Sequence, residues 1–287
     1  ENSELFKATI GGLGLTGLIL WAELYLKPVN NAYIDMEQIK CETLEEFFDV
    51  SEASDKDWVY TMAWADCMAT GKHLGRSLFM RGNFNKSDYR PKAAARTKPL
   101  VAVPVDMPNI LINPLTVKIF NTMYYHRQLP KKIKRTISYN PFYYPLDMID
   151  TWNKLYGNRG FLQYQFVVPY KDGYEAIREL MTRIAKSGEG SPLVVLKTFG
   201  EVESPGMLSF PRPGVTLALD FGFNGTKTLQ LLENLDELVM QSGGRVYPAK
   251  DARMSAKHFQ AFYPNWGEFA KYVDPNFSSS FWRRVTT

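Results

Sequence analysis

Between Gly160 and Tyr247 the chain alternates strand-like and helix-like stretches twice, and this alternation limits the fold more than any other feature. Gly160 to Pro169 is rich in aromatic and β-branched residues and predicts a strand. Asp172 to Lys186 follows as a helix, with Ile177, Leu180, Met181 and Ile184 on one face. Pro192 to Phe199 predicts a second strand, Ser204 to Pro213 a Pro/Gly loop, and Val215 to Phe221 a third strand. Thr226 to Ser242 is a helix with Leu231, Leu235, Leu238 and Val239 as its apolar stripe. Gly243-Gly244 stops it with residues that tolerate positive φ. Two such units imply an α+β fold: an antiparallel or mixed sheet with helices on one face.

The first half is more irregular. Ser3 to Ala8 predicts a short helix running into Gly11-Gly12-Leu13-Gly14-Leu15-Thr16-Gly17. Thr16 to Pro28 reads as a long buried strand closed by Pro28, and Tyr33 to Ile39 as another. Thr43-Leu44-Glu45-Glu46 is a capping box, in which the threonine oxygen and the glutamate satisfy free amides of a helix over Leu44 to Val50. Trp58 to Asp66 and Leu78 to Phe84 are strand candidates, and Asn85 to Pro99 a mobile basic loop. Short helices separated by Pro264 and Pro275 are expected between Ser255 and Trp282.

Composition narrows the function classes. The 287 residues carry a formal charge of +4, too small to imply a nucleic-acid partner. Cys41 and Cys67 give neither a disulfide framework nor metal spacing, which favours a reducing compartment. Leu13 to Leu26 is shorter than the ~20 apolar residues needed to span a bilayer, and it contains Glu23. A cytoplasmic protein, or one peripheral to the inner membrane, is expected. The chain begins at Glu1 with what reads as the middle of a domain, so an additional N-terminal portion is expected.

Several residues could carry chemistry. Paired glycines beside a strand let a cofactor approach the backbone, and equally make a tight turn before a core strand. They do not open a helix in a βαβ context, which excludes a Rossmann site. Lys250, beside Tyr247 and Asp251, could stabilise negative charge developing on a flavin, hold a phosphate or sugar hydroxyl, or simply pair with Asp251 at the surface. Gln163 and Gln165 project from one face of their strand and Tyr164 from the other; buried amides there require partners such as sugar hydroxyls, whereas an exposed edge would not. Val195, Lys197 and Phe199 share a face that could border a ligand with phosphate and lipid parts, or the lysine stem could just cover apolar neighbours. His73, His126 and His258 lack any metal-like or nucleophile arrangement and are assigned to structure. Arg127, Lys131, Lys132, Lys134 and Arg135 form a basic cluster, either a solvated loop or an attractor of anionic lipid.

Ordered blocks then extend these observations. They are Thr9-Ile10-Gly11-Gly12 through Ile19, Tyr60 to Asp66, Tyr143 to Met148, Phe161 to Phe166, Leu208 to Pro211, Asp220-Phe221 and Tyr247 to Arg253. In this order the chain resembles FAD-linked flavoenzymes of the vanillyl-alcohol-oxidase type, and most closely the decaprenylphosphoryl-ribose oxidase group. The likeness is weakest from about Gly82 to Tyr139.

The resemblance implies that residues 1–29 end an FAD-binding domain of the PCMH type. Residues 30–244 would form the substrate domain, and 245–287 would return to the FAD domain. It implies a flavin beside Ile19 and Tyr247, with Trp64, Tyr143, Gln165, Val195, Lys197, Phe199 and Lys250 around the substrate. On the residues alone, Gly11, Gly12, Gly14, Thr16 and Gly17 join the cofactor set and Gln163 the substrate set. Lys250 and Gln165 would serve catalysis.

The implied reaction is oxidation of the C2′ hydroxyl of a polyprenyl-phosphoryl ribose to a ketone, with hydride passing to flavin N5 and a partner reductase acting on the product. A sugar-lactone or other small-alcohol oxidase, or a non-catalytic lipid- or polyanion-binding module, are the alternatives. No general base is identifiable. Ala218 replaces a reactive cysteine of mycobacterial members, Thr216 an asparagine and Tyr144 a histidine, so thiol-directed inactivation at that position is not expected. The flavin domain's pyrophosphate loop is expected upstream of Glu1, and this chain alone is expected to bind FAD poorly and to be inactive.

Overall fold

The computed structural model describes residues 2–88, 99, 101–250 and 253–287. The expected loop over Asn85 to Pro99 falls largely outside the described residues, as does Asp251. The strands are β1 (Tyr33–Cys41), β2 (Tyr60–Ala65), β3 (Ser77–Phe84), β4 (Val101–Ala102), β5 (Lys132–Ser138), β6 (Ile149–Asp150), β7 (Phe161–Val168), β8 (Val194–Phe199), β9 (Gly214–Gly222) and β10 (Arg245–Val246). The helices are α1 (Ser3–Thr9), α2 (Leu44–Ser54), α3 (Pro114–His126), α4 (Tyr139–Tyr143), α5 (Tyr170–Ser187), α6 (Thr226–Gln241), α7 (Ala256–Phe262), α8 (Trp266–Phe269) and α9 (Ser280–Thr286).

Eight strands form one sheet in the order β10-β7-β9-β8-β2-β3-β1-β5, and its pairings are antiparallel. β7 and β8 each run antiparallel to β9, which lies between them, so they run parallel to one another. A parallel pair needs a crossover, and α5 supplies it. The helix buries Ile177, Leu180, Met181 and Ile184, the four residues its 3.6-residue period selects, and ends at Gly188 with φ +74°. In α6, Leu232, Leu235 and Val239 are fully buried, while Leu231 and Leu238 are only partly so, a rotation of one residue from the expected stripe.

Alternation along the strands divides the sheet into two faces. One carries Ala63, Tyr164, Phe166, Leu196, Leu217, Leu219 and Phe221 under α2, α5 and α6. The Phe221→Ala variant should lose about 3–5 kcal/mol of stability in urea unfolding, because its ring is fully buried in this layer. Helices are not confined to that face. Tyr124 of α3 packs on Trp64 at 4.6 Å, and Phe142 of α4 joins Ile34 and Met36, all on the opposite side. The sequence reading missed this second cover because α3 and α4 lie in the segment with the least regular periodicity.

One strand expectation fails outright. Thr16 to Pro28 carries no regular secondary structure and pairs with no strand among the described residues. Its side chains are open: Leu18 76%, Trp21 79%, Tyr25 99% and Leu26 85% exposed. The apolar pattern supplied strand propensity, but a strand also requires an edge to receive its hydrogen bonds, and no described strand offers one to this segment. The capping box is likewise modified. Thr43 Oγ1 accepts from Glu46 N–H at 3.2 Å, while the Glu46 carboxylate reaches back to Glu42 N–H at 2.6 Å rather than to the cap residue.

Candidate active site

The second face of the sheet gathers most of the sequence-predicted substrate residues. Cross-strand register places Gln165 opposite Ala218 and Ala218 opposite Val195, which in turn faces Trp64. One step along, Gln163 pairs with Asp220, and Lys197 with Thr216. A single antiparallel face therefore presents two amides, a lysine, a carboxyl, a hydroxyl and an apolar centre. Gln165 is buried and its Nε2 donates to Thr216 Oγ1 at 3.1 Å, which fixes the amide. Phe199, under the Lys197 ammonium at 5.4 Å, packs edge-on to Phe210 at 6.0 Å, and Phe210 stacks on Tyr247 at 4.6 Å.

Lys250 reaches this face from the 248–250 turn that follows β10. Tyr247 N–H donates to Gln165 O at 2.8 Å, and Lys250 N–H to Tyr247 O at 3.2 Å, so the turn is tied to β7. A second anchor lies three residues further on. Arg253 Nη1 donates to Asp236 at 2.7 Å, and the same buried carboxylate accepts from Tyr164 Oη at 2.8 Å. Lys250 is thus held between two fixed points, and it shares a small crevice with Gln163 and Arg253.

The electrostatics of the face are unusual for a surface. Burial lowers the proton affinity of Lys197, and the nearby Lys250 charge lowers it further. Lys250 is also lowered, by burial against the opposing pull of Asp220. Neither lysine has an ion-pair partner among the described residues. Asp220, 6% exposed, is pushed up to about 6 by burial, against the Gln163 hydrogen bond and the Lys250 charge. Two half-buried lysines beside a carboxyl whose proton affinity is raised to about 6 make a candidate anion site. Sequence reasoning overlooked Asp220 as a site residue. Its period-two spacing from Thr216 and Ala218 in a strand already predicted was the available signal.

The opening glycines divide into two groups. Gly11 is pressed against the Leu208–Ser209 backbone, where an added Cβ would stand 3.2 Å away, and Gly12 against Ala8 O at 2.2 Å. Their absence of side chains is used in packing. Gly14 (φ +71°) and Gly17 (φ +124°) instead face open space. Thr16 Oγ1 shares a 2.9 Å hydrogen bond with Thr9 Oγ1, and Ile19 is 64% exposed. The two ends of the chain do converge. Asp274 N–H donates to Leu15 O at 2.9 Å, Met207 N–H to Lys7 O at 3.1 Å, and Arg245 Nη1 to Ser209 O at 2.9 Å. The 206–210 loop therefore joins the glycine turn to the Tyr247 wall.

Other predicted residues sit further along the same face or elsewhere. Trp64 Nε1 donates to Pro192 O at 2.9 Å, and Tyr143 packs perpendicular to Tyr60 at 5.2 Å. Tyr144 is 54% exposed. His258 is buried, with Nδ1 3.0 Å from Ser255 Oγ and Nε2 3.4 Å from Glu237, a structural setting. Cys41 and Cys67 are buried free thiols, both pushed up to about 12, chiefly by burial. No group of three His, Cys, Asp or Glu that would hold a metal occurs among the described residues. No described helix is long and apolar enough to cross a membrane.

The α+β sheet carries a charged, partly covered face that forms a candidate ligand site, and comparison with known proteins assigns the chain to a family. The chain is 35% identical over 296 residues to decaprenylphosphoryl-beta-D-ribose oxidase of Mycolicibacterium smegmatis, covering 99% of this chain and 64% of that protein. It is 31% identical over 303 residues to a Streptomyces coelicolor protein described as an uncharacterized protein in the mprA 5′ region, covering 99% of this chain and 81% of the relative. The chain belongs to the family of the Streptomyces protein. No family model matches it. It spans 64% of the length of the mycobacterial oxidase, less than two thirds of it.

Proposed function

We propose that this chain is the substrate-binding part of an FAD-dependent oxidoreductase that oxidises a secondary hydroxyl of a polyprenyl-phosphoryl ribose to a ketone. The observation that carries this reading is the pair of half-buried lysines, Lys197 and Lys250, on one sheet face with Gln163 and Gln165. In this reading residues 1–29 and 245–287 belong with the flavin domain and 30–244 with the substrate domain.

The residues present fit a flavin. Open backbone at Gly14 and Gly17, the exposed apolar side chain of Ile19, the phenol of Tyr247 and the Lys250 ammonium, which has no ion-pair partner among the described residues, match a planar, partly apolar, electron-accepting ring. Bound FAD supplies the hydride acceptor. The chain's own groups do the rest. Lys197 binds a phosphate oxygen, and Val195 and Phe199 border the first part of the lipid. Gln165, fixed by Thr216, orients sugar hydroxyls with Gln163. Lys250 lowers the energy of negative charge gathering at the reaction centre. The Asp220 carboxylate accepts the hydroxyl proton, its affinity set near neutrality by burial. A separate reductase consumes the ketone.

The test is turnover by the intact protein on prenyl-phosphoryl ribose and on soluble aldonolactones, followed by bleaching of flavin absorbance. Bleaching by the lipid-linked sugar is expected. Bleaching by aldonolactones alone would replace this reading with a sugar-lactone oxidase. The present chain by itself should show neither flavin absorbance nor turnover.

A further inference from the structure

Residues 107–146 contain six lysines and arginines and no carboxylate. Within them, the outer side of α3 is apolar. Leu115, Ile119 and Met123 are 66%, 50% and 69% exposed, and Phe120 is open beside them. Their i, i+4, i+8 spacing makes one stripe, and the next member of that series is Arg127, the C-cap residue in helical conformation. Leu129, 86% exposed, follows at once.

The basic cluster around this stripe is not uniform. Lys131 pairs with Glu46, while Lys132 and Lys134 both pair with Glu37, whose carboxyl is held at about 2 with these lysines and Arg81 as hydrogen-bond partners. Arg127 and Arg135 have no carboxylate partner among the described residues. Arg127 is instead laid over the Tyr124 ring at 3.7 Å, with its Nη2 donating to Tyr124 Oη at 2.8 Å. These two cations line one groove of about 500 Å³, together with Gln38, Gln128 and Ile133. Arg127 continues the apolar stripe, and Arg135 shares the groove with it and with the exposed Leu129.

We infer that the outer face of α3, with Leu129, docks on the surface of an anionic lipid bilayer, the stripe entering the headgroup boundary and Arg127 and Arg135 holding lipid phosphates. An apolar helix face next to cations is the arrangement that binds such a surface. The rim's charge selects this occupant over a second copy of the chain, since the face would meet its own positive charge. The inference stands apart from the flavin reading, because vesicle binding needs no cofactor. Tyr124, on the inner side of the same helix, packs on Trp64, so docking would set the candidate site next to the bilayer.

Flotation of the full chain with vesicles of equimolar phosphatidylcholine and phosphatidylglycerol tests it. The parent should float with these and not with pure phosphatidylcholine. The pair Arg127→Ala and Arg135→Ala should weaken binding on the order of 30-fold. The pair Lys132→Ala and Lys134→Ala should leave it nearly unchanged. The triple Leu115→Ser, Ile119→Ser, Met123→Ser should abolish it. Ile119→Trp, which keeps the position apolar, should be quenched by brominated lipid. A parent that ignores anionic vesicles would overturn the inference, as would an arginine-pair variant that floats like the parent. So would a vesicle-free dimer that the triple substitution dissociates.

Discussion

Under the proposed oxidation, replacing Lys250 with Met in the full-length protein is expected to reduce turnover by about 10²–10³-fold, the loss typical when one preorganised charge-stabilising group is removed. The side chain is half-buried, the turn bearing it is pinned to β7 through Tyr247 and to α6 through Arg253, and no described carboxylate lies within ion-pair distance of it. Fixed, desolvated charge of this kind costs little reorganisation when negative charge develops beside it. The fold should survive, because burial already disfavours the charged lysine and Met retains its apolar length. Single-turnover bleaching separates the effect from binding. A variant with unchanged reduction rate and raised KM would move Lys250 from catalysis to substrate binding.

Asp220→Asn should act in opposite directions on stability and on turnover. Burial raises the carboxyl from its ordinary 3.8 to about 6, so folding favours the protonated form. The associated stabilisation is complete below the unfolded value and is lost as pH rises through 6. That span corresponds to roughly 3 kcal/mol. The amide does not ionise. Urea unfolding should therefore show parent and variant differing little at about pH 3.5, with the variant more stable by about 3 kcal/mol above about pH 7. Equal pH dependence of the two proteins would show that Asp220 is not the group responsible. Turnover in the intact enzyme should fall by about 10²–10⁴-fold, since the amide cannot accept the hydroxyl proton.

The second half of the fold was legible because its patterns are long and bounded. Ile177, Leu180, Met181 and Ile184 repeat at helical spacing between a proline-terminated strand and Gly188, and burial follows the repeat. The candidate face was legible in pieces: period-two spacing united Gln163 with Gln165, and Val195 with Lys197 and Phe199. Their meeting on one surface depends on β9 lying between β7 and β8, which periodicity within each segment does not report. Thr16 to Pro28 misled because apolar strand propensity is local, whereas a ladder partner is not. The basic cluster misled in a different way. Five neighbouring cations look alike in sequence, yet Glu37, far away in β1, neutralises two of them and Glu46 a third.

The interleaving of β9 between β7 and β8 has an evolutionary consequence. Val215, Leu217, Leu219 and Phe221 bind the helical layer, while Thr216, Ala218 and Asp220 look the other way. Foundation and recognition are thereby written on alternate letters of one strand. Substitution at Thr216 and Ala218 alters the candidate face without disturbing the core beneath, so under the proposed function that face can change its ligand long before the architecture changes.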